Sequence, residues 1–566
     1  MVRWLLVLCT LLALALRLHG LTDEPLWYDE ILTFFRADAA SPLGVLRNQL
    51  RDCQTPLHDL LTWFLVRACG DGEIVARLPA ALFGAALVPA AWALARETFG
   101  AGAAAVAGAL AAVAPVLVAY GQEGRPYALF ALLSALLLLA ATRLARSGGE
   151  RGHKLLAWCA PLILVTHYYG TLVLAAVLVH LAWNLGALRR RLGRLVVALL
   201  PALAAALVGS PVALWQLSGP SGAIVYQRPG ARTLLAALDG WTLEGAAAAA
   251  GELDRCTFVQ LGLAAAGALL LLARRRGGDG TAAIDGAVSL AGSGGDERVL
   301  RHASRALLAA GTAVLLLAAA WPQERVAALA ARLFRDGREL DEAGRSFVGG
   351  LRLLAVAEGA ALLALGGAVR ALPLLVRRLP PRRPADPLLP LAILLPLAAI
   401  VTLDALGVVT FLARHTIYAA GPLAVLAGGA IAGPGRRPTT ALLLLGILAA
   451  GSARGMRSTP PIRGHPDYRS AGALVMSRAD LAPLAHPDWT ARCVEYYARR
   501  PWRSVAGVDD EAQARSFAAG HPRFLMLTAY EGFVDPRRVR RALEETHRAT
   551  ALESPRGVRC ELWERR

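Results

Sequence analysis

The chain is 566 residues long, 56% hydrophobic and only 18% charged, with a mean hydropathy of +0.46, a balance that excludes an ordinary soluble protein. Its net charge of +18 would point to nucleic acid in a soluble chain, but the arginines gather at the ends of apolar runs: Arg189-Arg190-Arg191, Arg274-Arg275-Arg276, Arg377-Arg378 with Arg382-Arg383, and Arg436-Arg437. Positive charge in such places holds loops on the cytoplasmic side of a membrane, so the clusters read as topology signals and not as a nucleic-acid surface.

Crossing a bilayer takes about 20 apolar residues in a helix, and Ala/Leu-rich runs of that kind recur from Val2 to Leu448. They lack the alternation of a barrel, which leaves helices as the way to pair the backbone in lipid. The first run, near 4–20, follows Arg3 and resembles the apolar part of a signal peptide. No convincing small-x-small cleavage site precedes Trp27, and many further apolar runs follow, so a retained anchor is expected, with its N-terminus inside and residue 21 outside. Further spans are expected near 74–96, 101–118, 127–144, 155–168, 171–186, 195–212, 258–273, 306–320, 351–370, 388–404, 411–432 and 439–453, about thirteen in all on hydropathy. An odd count places the C-terminus outside, and the whole describes an α-helical polytopic protein of a bacterial inner membrane.

Three segments interrupt the spans. Residues 21–73, outside, carry the short apolar runs Ile31 to Phe35 and Leu57 to Val66, suited to helices lying at a membrane surface. Residues 274–305, inside, are rich in Gly, Ala, Ser and Asp from Gly277 to Gly295 and read as a flexible loop. After 1–455, Pro460-Pro461 leads into a polar domain, 456–566, expected to be periplasmic and α/β. Helices are expected at Tyr468 to Met476 and Pro536 to Thr546, strands at Arg523 to Thr528 and Val558 to Trp563. No nucleotide-binding glycine loop appears in it. The seven cysteines include no C-x-x-C pair, and pairing of Cys493 with Cys560 is left open.

Charges close to a bilayer ask for a partner, a cavity or a function, and four outer groups hold them. Trp27-Tyr28-Asp29-Glu30 is either an interfacial aromatic belt followed by solvated acids or a functional carboxylate site. If a helix starts here, Asp29 and Glu30 point about 100° apart and cannot share a proton on one face. In Thr55-Pro56-Leu57-His58-Asp59, Pro56 fits a first helical turn with Thr55 as its cap, while His58 and Asp59 are either surface residues or site residues. Tyr120-Gly121-Gln122-Glu123-Gly124-Arg125-Pro126-Tyr127 is a turn whose outward Arg125 also suits a phosphate. The fourth group is His167-Tyr168-Tyr169-Gly170 with Arg414-His415-Thr416-Ile417-Tyr418. Together they describe an outward cavity with carboxylates at its entry and cations around it. That suits transfer from an anionic lipid, where a base serves the acceptor hydroxyl and cations serve a departing phosphate.

These motifs, together with Arg77-Leu78-Pro79 and Phe83-Gly84, Ala128-Leu129 after Tyr127, Arg414 to Pro422 and His465-Pro466-Asp467-Tyr468-Arg469, occur in the order and spacing of bacterial GT-C glycosyltransferases. The chain resembles the group of protein O-mannosyltransferases, aminoarabinose transferases and rhizobial galacturonosyltransferases over nearly its whole length. The resemblance implies an inverting transferase that takes a sugar from a polyprenyl-phosphate donor to an envelope lipid, glycan or protein. It makes Asp29 the general base and Glu30 its catalytic neighbour. It implies donor- or acceptor-binding roles for His58, Asp59, Gln122, Glu123, Arg125, Tyr127, His167, Arg414 and His415, with Arg125 or Arg414 near the donor phosphate. No cofactor is implied, and a divalent metal is left open because no ligand spacing stands out.

Three departures from the family pattern are His415 after Arg414 in place of Tyr, His58 and Asp59 in place of tyrosines, and an apparent insertion over 274–387. The rival readings are a transporter of a lipid-linked or anionic substrate, for which no internal repeat is visible, and a membrane receptor or scaffold.

Overall fold

The structure is a computed structural model that describes residues 2–50, 54–146, 150–188, 191–218, 264–269, 293–320, 324, 328, 342–377, 388–405, 413–432, 466–498, 505–529 and 536–566. The first half is helical throughout: α1 Val2–Leu18, α2 Tyr28–Ala37, α3 Pro42–Gln49, α4 Pro56–Cys69, α5 Glu73–Phe99, α6 Ala101–Val113, α7 Pro115–Tyr120, α8 Tyr127–Arg146, α9 Glu150–Leu164, α10 Gly170–Trp183, α11 Leu185–Leu188 and α12 Leu192–Ser218. After them come α13 Ser293–Ala320, α14 Glu342–Arg377, α15 Leu388–Ala405, a 3-10 turn Ala413–Ala419 and α16 Ala420–Ala432. Among the described residues, α5, α8 and the stretches Leu192–Ala213, Glu297–Ala320 and Leu353–Leu374 are long and apolar enough to cross a membrane. Ala101–Val113, Gly170–Trp183, Leu388–Thr402 and Thr416–Ala432 are shorter apolar helices.

Several expected elements are redrawn. The run 101–118 is two helices, because Pro115 forces Ala114 into extended backbone and ends α6 there. The run 411–432 is a 3-10 turn leading into α16. Residues 293–305 are helical, not loop, and Glu297 pairs with Arg301 one turn on. The expected spans at 258–273, beyond 264–269, and at 439–453 lie outside the described residues, as does His465.

The helical core is packed through small side chains. On α1, Cys9, Ala13 and Arg17 recur every fourth residue and are buried, whereas Trp4, Leu8 and Leu11 are exposed, so one stripe meets the bundle and the rest is left for lipid. A Cβ on Gly428 would lie 2.6 Å from the Ala103 carbonyl oxygen, which is how α16 lies against α6. Helices α13 and α14 pack mainly on each other and on α12, around a separate apolar cluster of Leu192, Leu300, Leu307, Leu362 and Val369.

The C-terminal residues fold as α17 Tyr468–Ser477, β1 Ala482–His486, α18 Asp488–Tyr497, β2 Ala506–Gly507, α19 Glu511–Gly520, β3 Arg523–Ala529, α20 Arg537–Glu544, β4 His547–Ala551 and β5 Val558–Arg565. The sheet order is β2-β1-β3-β5-β4, with β1 parallel to both neighbours and β5 antiparallel to β3 and β4. Strand β3 reads Phe-Leu-Met-Leu because both its faces are covered. Phe524 and Met526 meet α19 and α20 on one side. Leu525 and Leu527 meet α17 and α18 on the other, in a cluster that also contains Leu26, Ile31 and Phe34 from the start of the chain. Cys493 and Cys560 sit in that cluster as free thiols, not as a disulfide, and burial pushes Cys560 up to about 12.

Candidate active site

Helix α2 opens at Trp27, in extended backbone, which puts Asp29 and Glu30 in its first turn, where acids suit the helix dipole. From there the two side chains diverge. Glu30 is fully buried. Its Oε1 accepts from Arg77 Nε at 2.8 Å and from the Gly124 N–H at 2.7 Å, and its Oε2 accepts from Arg77 Nη2 at 2.6 Å and from the Trp27 N–H at 3.3 Å. Arg77, on α5, gives its remaining donors to the carbonyls of Leu21, Glu24 and Pro25, at 2.8, 2.7 and 3.1 Å. A planar fork saturated in this way fixes residues 21–30 against α5.

Asp29 points elsewhere. Its side chain is 15% exposed, and Oδ2 stands 3.8 Å from Arg125 Nη2. Arg125 also donates Nη1 to the Asp29 carbonyl at 3.2 Å and to Thr33 Oγ1 at 3.3 Å. The buried guanidinium thus holds the first turn of α2 through its backbone while its charge faces the Asp29 carboxylate.

The turn that carries Arg125 is itself anchored. Gln122 donates Nε2 to the carbonyls of Leu16 and His19, at 3.1 and 2.6 Å, satisfying the C-terminal end of α1. Buried Arg17 donates to the carbonyls of Ala13, Ala111 and Ala112, at 2.9, 3.3 and 3.1 Å. Pro115 has no N–H to reach Ala111, and Arg17 supplies the donor. A Cβ on Gly121 would lie 2.8 Å from Arg17 Cδ and one on Gly84 2.6 Å from its Nε, so the turn approaches closely only because both are glycine. Glu123 is buried beside Arg125.

His58 and Asp59 enter from α4, which starts as expected with Thr55 at the N-cap and Pro56 in the first turn, although the Thr55 side chain makes no capping bond. Both are buried, not surface residues. Asp59 is paired with Arg36, 2.6 Å from Nε to Oδ2, and accepts from Gln49. His58 Nε2 lies 2.9 Å from the Gly124 carbonyl oxygen and must carry the proton there. Its Nδ1 is buried with no hydrogen-bond partner among the described residues. Burial holds the imidazole below the usual histidine range, against the opposing pull of Asp59.

Tyr127 and His167 belong to an aromatic group under the turn. Tyr127 meets Tyr120 edge-on at 5.0 Å, and the His167 ring lies parallel to Phe130 at 4.8 Å and 6.0 Å from Tyr127. His167 Nδ1 accepts the Tyr169 N–H at 3.2 Å. Tyr418 reaches the same group, 6.1 Å from Phe130, so the 3-10 turn bearing Arg414 and His415 comes to this end of α8. The side chains of Arg414 and His415 lie outside the described residues. Among the described residues, no three His, Cys, Asp or Glu side chains come together as a metal site.

The structure therefore brings Asp29, Glu30, His58, Gln122, Glu123 and Arg125 onto one turn and its supports, locks Asp59 in a neighbouring ion pair, and sets Tyr127 and His167 in the aromatic group. Sequence reasoning placed Arg77 in a motif without a role. Its signal was a charge inside an apolar run, which requires a partner, and Arg17 carries the same signal.

Residues 53–215 match the family model described as dolichyl-phosphate-mannose-protein mannosyltransferase. The resemblance to a glycosyltransferase family holds over this stretch. The stretch that matches this glycosyltransferase family includes His58, Asp59, the Gln122–Arg125 turn, Tyr127 and His167, and begins after Asp29. No curated protein sequence matches the chain. Among solved structures, ArnT from Cupriavidus metallidurans in the apo state is 15% identical, with a TM-score of 0.45 over 98% of this chain and 97% of that one. The same protein bound to undecaprenyl phosphate is 14% identical, with a TM-score of 0.43 over the same shares. The Archaeoglobus fulgidus oligosaccharyltransferase complex with Zn and sulfate is 15% identical, with a TM-score of 0.45 over 97% of this chain and 72% of that one.

Proposed function

We propose that this protein is a membrane glycosyltransferase that moves a sugar from a polyprenyl-phosphate donor to a hydroxyl of an envelope acceptor, on the outer face of the inner membrane, with Asp29 as the general base. The observation that carries this reading is the division of labour between adjacent acids. Glu30 has both carboxylate oxygens occupied by the Arg77 fork and two backbone N–H groups, which makes it a positioning residue and not a second base. Asp29 sits at the partly exposed edge with a cation facing it.

The chemistry follows from that arrangement. The acceptor hydroxyl attacks the anomeric carbon of the sugar and its proton passes to the Asp29 carboxylate. The bond from that carbon to the phosphate oxygen breaks, and the lipid phosphate leaves with the electron pair. A single displacement inverts the anomeric centre. Phosphate is a good leaving group, so cations nearby suffice for it and no second carboxyl acid is needed, unlike glycoside hydrolysis. Arg125 is the cation on hand, and the family model's description, which names a lipid-phosphate mannose, supports this donor class. In this reading residues 1–455 form the catalytic membrane part, and the C-terminal α/β unit lies on the same outer side as residues 21–73.

The test uses membranes containing the protein, a labelled polyprenyl-phosphate sugar and a panel of envelope lipids, glycans and proteins. Asp29→Asn should lower transfer by about 100- to 10,000-fold with membrane insertion intact. Transfer by that variant at the wild-type rate would overturn the assignment.

A further inference from the structure

The segment that carries Asp29 is held from two directions. Arg77 holds it from the membrane helices, through the carbonyls of Leu21, Glu24 and Pro25. The C-terminal unit holds the same residues through different atoms. The Leu26 N–H donates to Tyr497 Oη at 2.6 Å, and that hydroxyl donates to Glu73 Oε1 at 2.7 Å. Glu73 Oε2 accepts from Arg469 Nη2 at 2.6 Å, and the same nitrogen reaches the Thr22 carbonyl at 2.9 Å. Arg556 Nη1 donates to Glu24 at 3.1 Å.

Aromatic contacts continue the interface onto α2. Trp489 lies 5.4 Å from Tyr28, the neighbour of Asp29, and Tyr496 lies 5.4 Å from Phe34. Below these rings Leu26, Ile31 and Phe34 share one apolar cluster with Tyr468, Ala471 and Val494. Glu73 and Arg77 stand four residues apart on one face of α5, so a single helical turn receives the C-terminal unit through one residue and the Asp29 segment through the other.

We propose that the C-terminal unit clamps residues 22–31 and thereby positions Asp29, with Tyr497 as the central positioning residue. This rests on the reading of Asp29 as the base. Tyr497 acts through Leu26 and Glu73. Without its hydroxyl, the Leu26 amide loses its acceptor and the segment gains freedom to drift from Arg125. Small displacements of a reacting group are costly in rate.

The experiment compares the full-length protein in nanodiscs with Tyr497→Phe, which keeps the ring, and with Arg469→Gln, at a side chain 45% exposed. Amide hydrogen exchange over residues 22–31 and steady-state transfer of a labelled polyprenyl-phosphate sugar are measured on each. Tyr497→Phe should raise exchange in that segment about tenfold and lower kcat by about 10- to 100-fold, while the donor KM stays within a factor of about two. Arg469→Gln should change both readouts in the same direction, and Arg469→Lys should recover part of each. Unchanged exchange in folded Tyr497→Phe would overturn the clamp. Faster exchange with unchanged kcat would overturn its positioning of Asp29. If Tyr497→Phe fails to fold, Arg469→Gln decides by the same two readouts. Absence of transfer by the wild-type protein would instead sink the glycosyltransferase reading, and the exchange data would still decide the clamp.

Discussion

The four donors on buried Glu30 and the partly exposed position of Asp29 predict opposite phenotypes for two neighbouring isosteric changes. Asp29→Asn should fold and insert normally and lose transfer. Glu30→Gln removes the charge opposite a buried guanidinium, and one-sided loss of such a pair costs about 3–5 kcal/mol. Its thermal midpoint and membrane yield should fall before any rate is measured. His58 adds a pH dependence of known sign. Burial lowers its pKa in the folded protein, so below the ordinary value of about 6.5 the unfolded chain takes a proton that the folded one refuses. Stability therefore rises with pH through that window and is lost as pH falls below it. Thermal unfolding at stepped pH checks this, and His58→Gln, which still offers an N–H to Gly124 but does not titrate, should flatten the profile. The acids, His58 and Arg125 were legible as residue types demanding partners near a membrane. Which acid is locked was not legible, because the lock is Arg77, 47 positions from Glu30, and nothing local records that distance.

At the scale of elements, the turn Tyr120–Tyr127 depends on how closely α1 and α5 let it approach. A methyl on Gly121 would lie 2.8 Å from Arg17 Cδ, so Gly121→Ala must move either the arginine or the turn. It should cost about 1–3 kcal/mol and slow transfer as well, since Gln122 and Arg125 ride on the same turn. Melting and initial rates together check it. The helices of the first half were readable from their long apolar runs, and α2 and α4 from shorter ones. Where the reading failed, local chemistry explains the failure. Pro115 divides what hydropathy joins, and the Gly- and Ser-rich composition around residues 277–295 masks the start of α13 at Ser293. Strands β1, β2 and β4 were missed because they are short and, like Ala482–His486, carry little β-branched or alternating signal.

For the whole molecule, the separate cluster joining α12, α13 and α14 predicts that this pair of helices can be loosened without disturbing the site. A Cβ on Gly359 would lie 2.7 Å from Leu315 Cγ. Gly359→Val should abolish disulfide trapping between cysteines introduced on α13 and α14 while leaving transfer within a factor of about two, as expected for a substitution beside a separate apolar cluster. The C-terminal fold class was visible in the order of its helices and strands. Its union with residues 21–35 was not, since hydropathy says nothing about which polar surface meets which.

That union sets an order of events during synthesis. Leu26 and Tyr497, which share a hydrogen bond, are 471 positions apart, so the segment bearing Asp29 leaves the ribosome long before the residues that complete its contacts. Closing so long a loop is slow. A nascent or truncated chain that ends before α18 would present the carboxylate without its C-terminal support, and the segment would be held from both directions only once α18 has been made and folded.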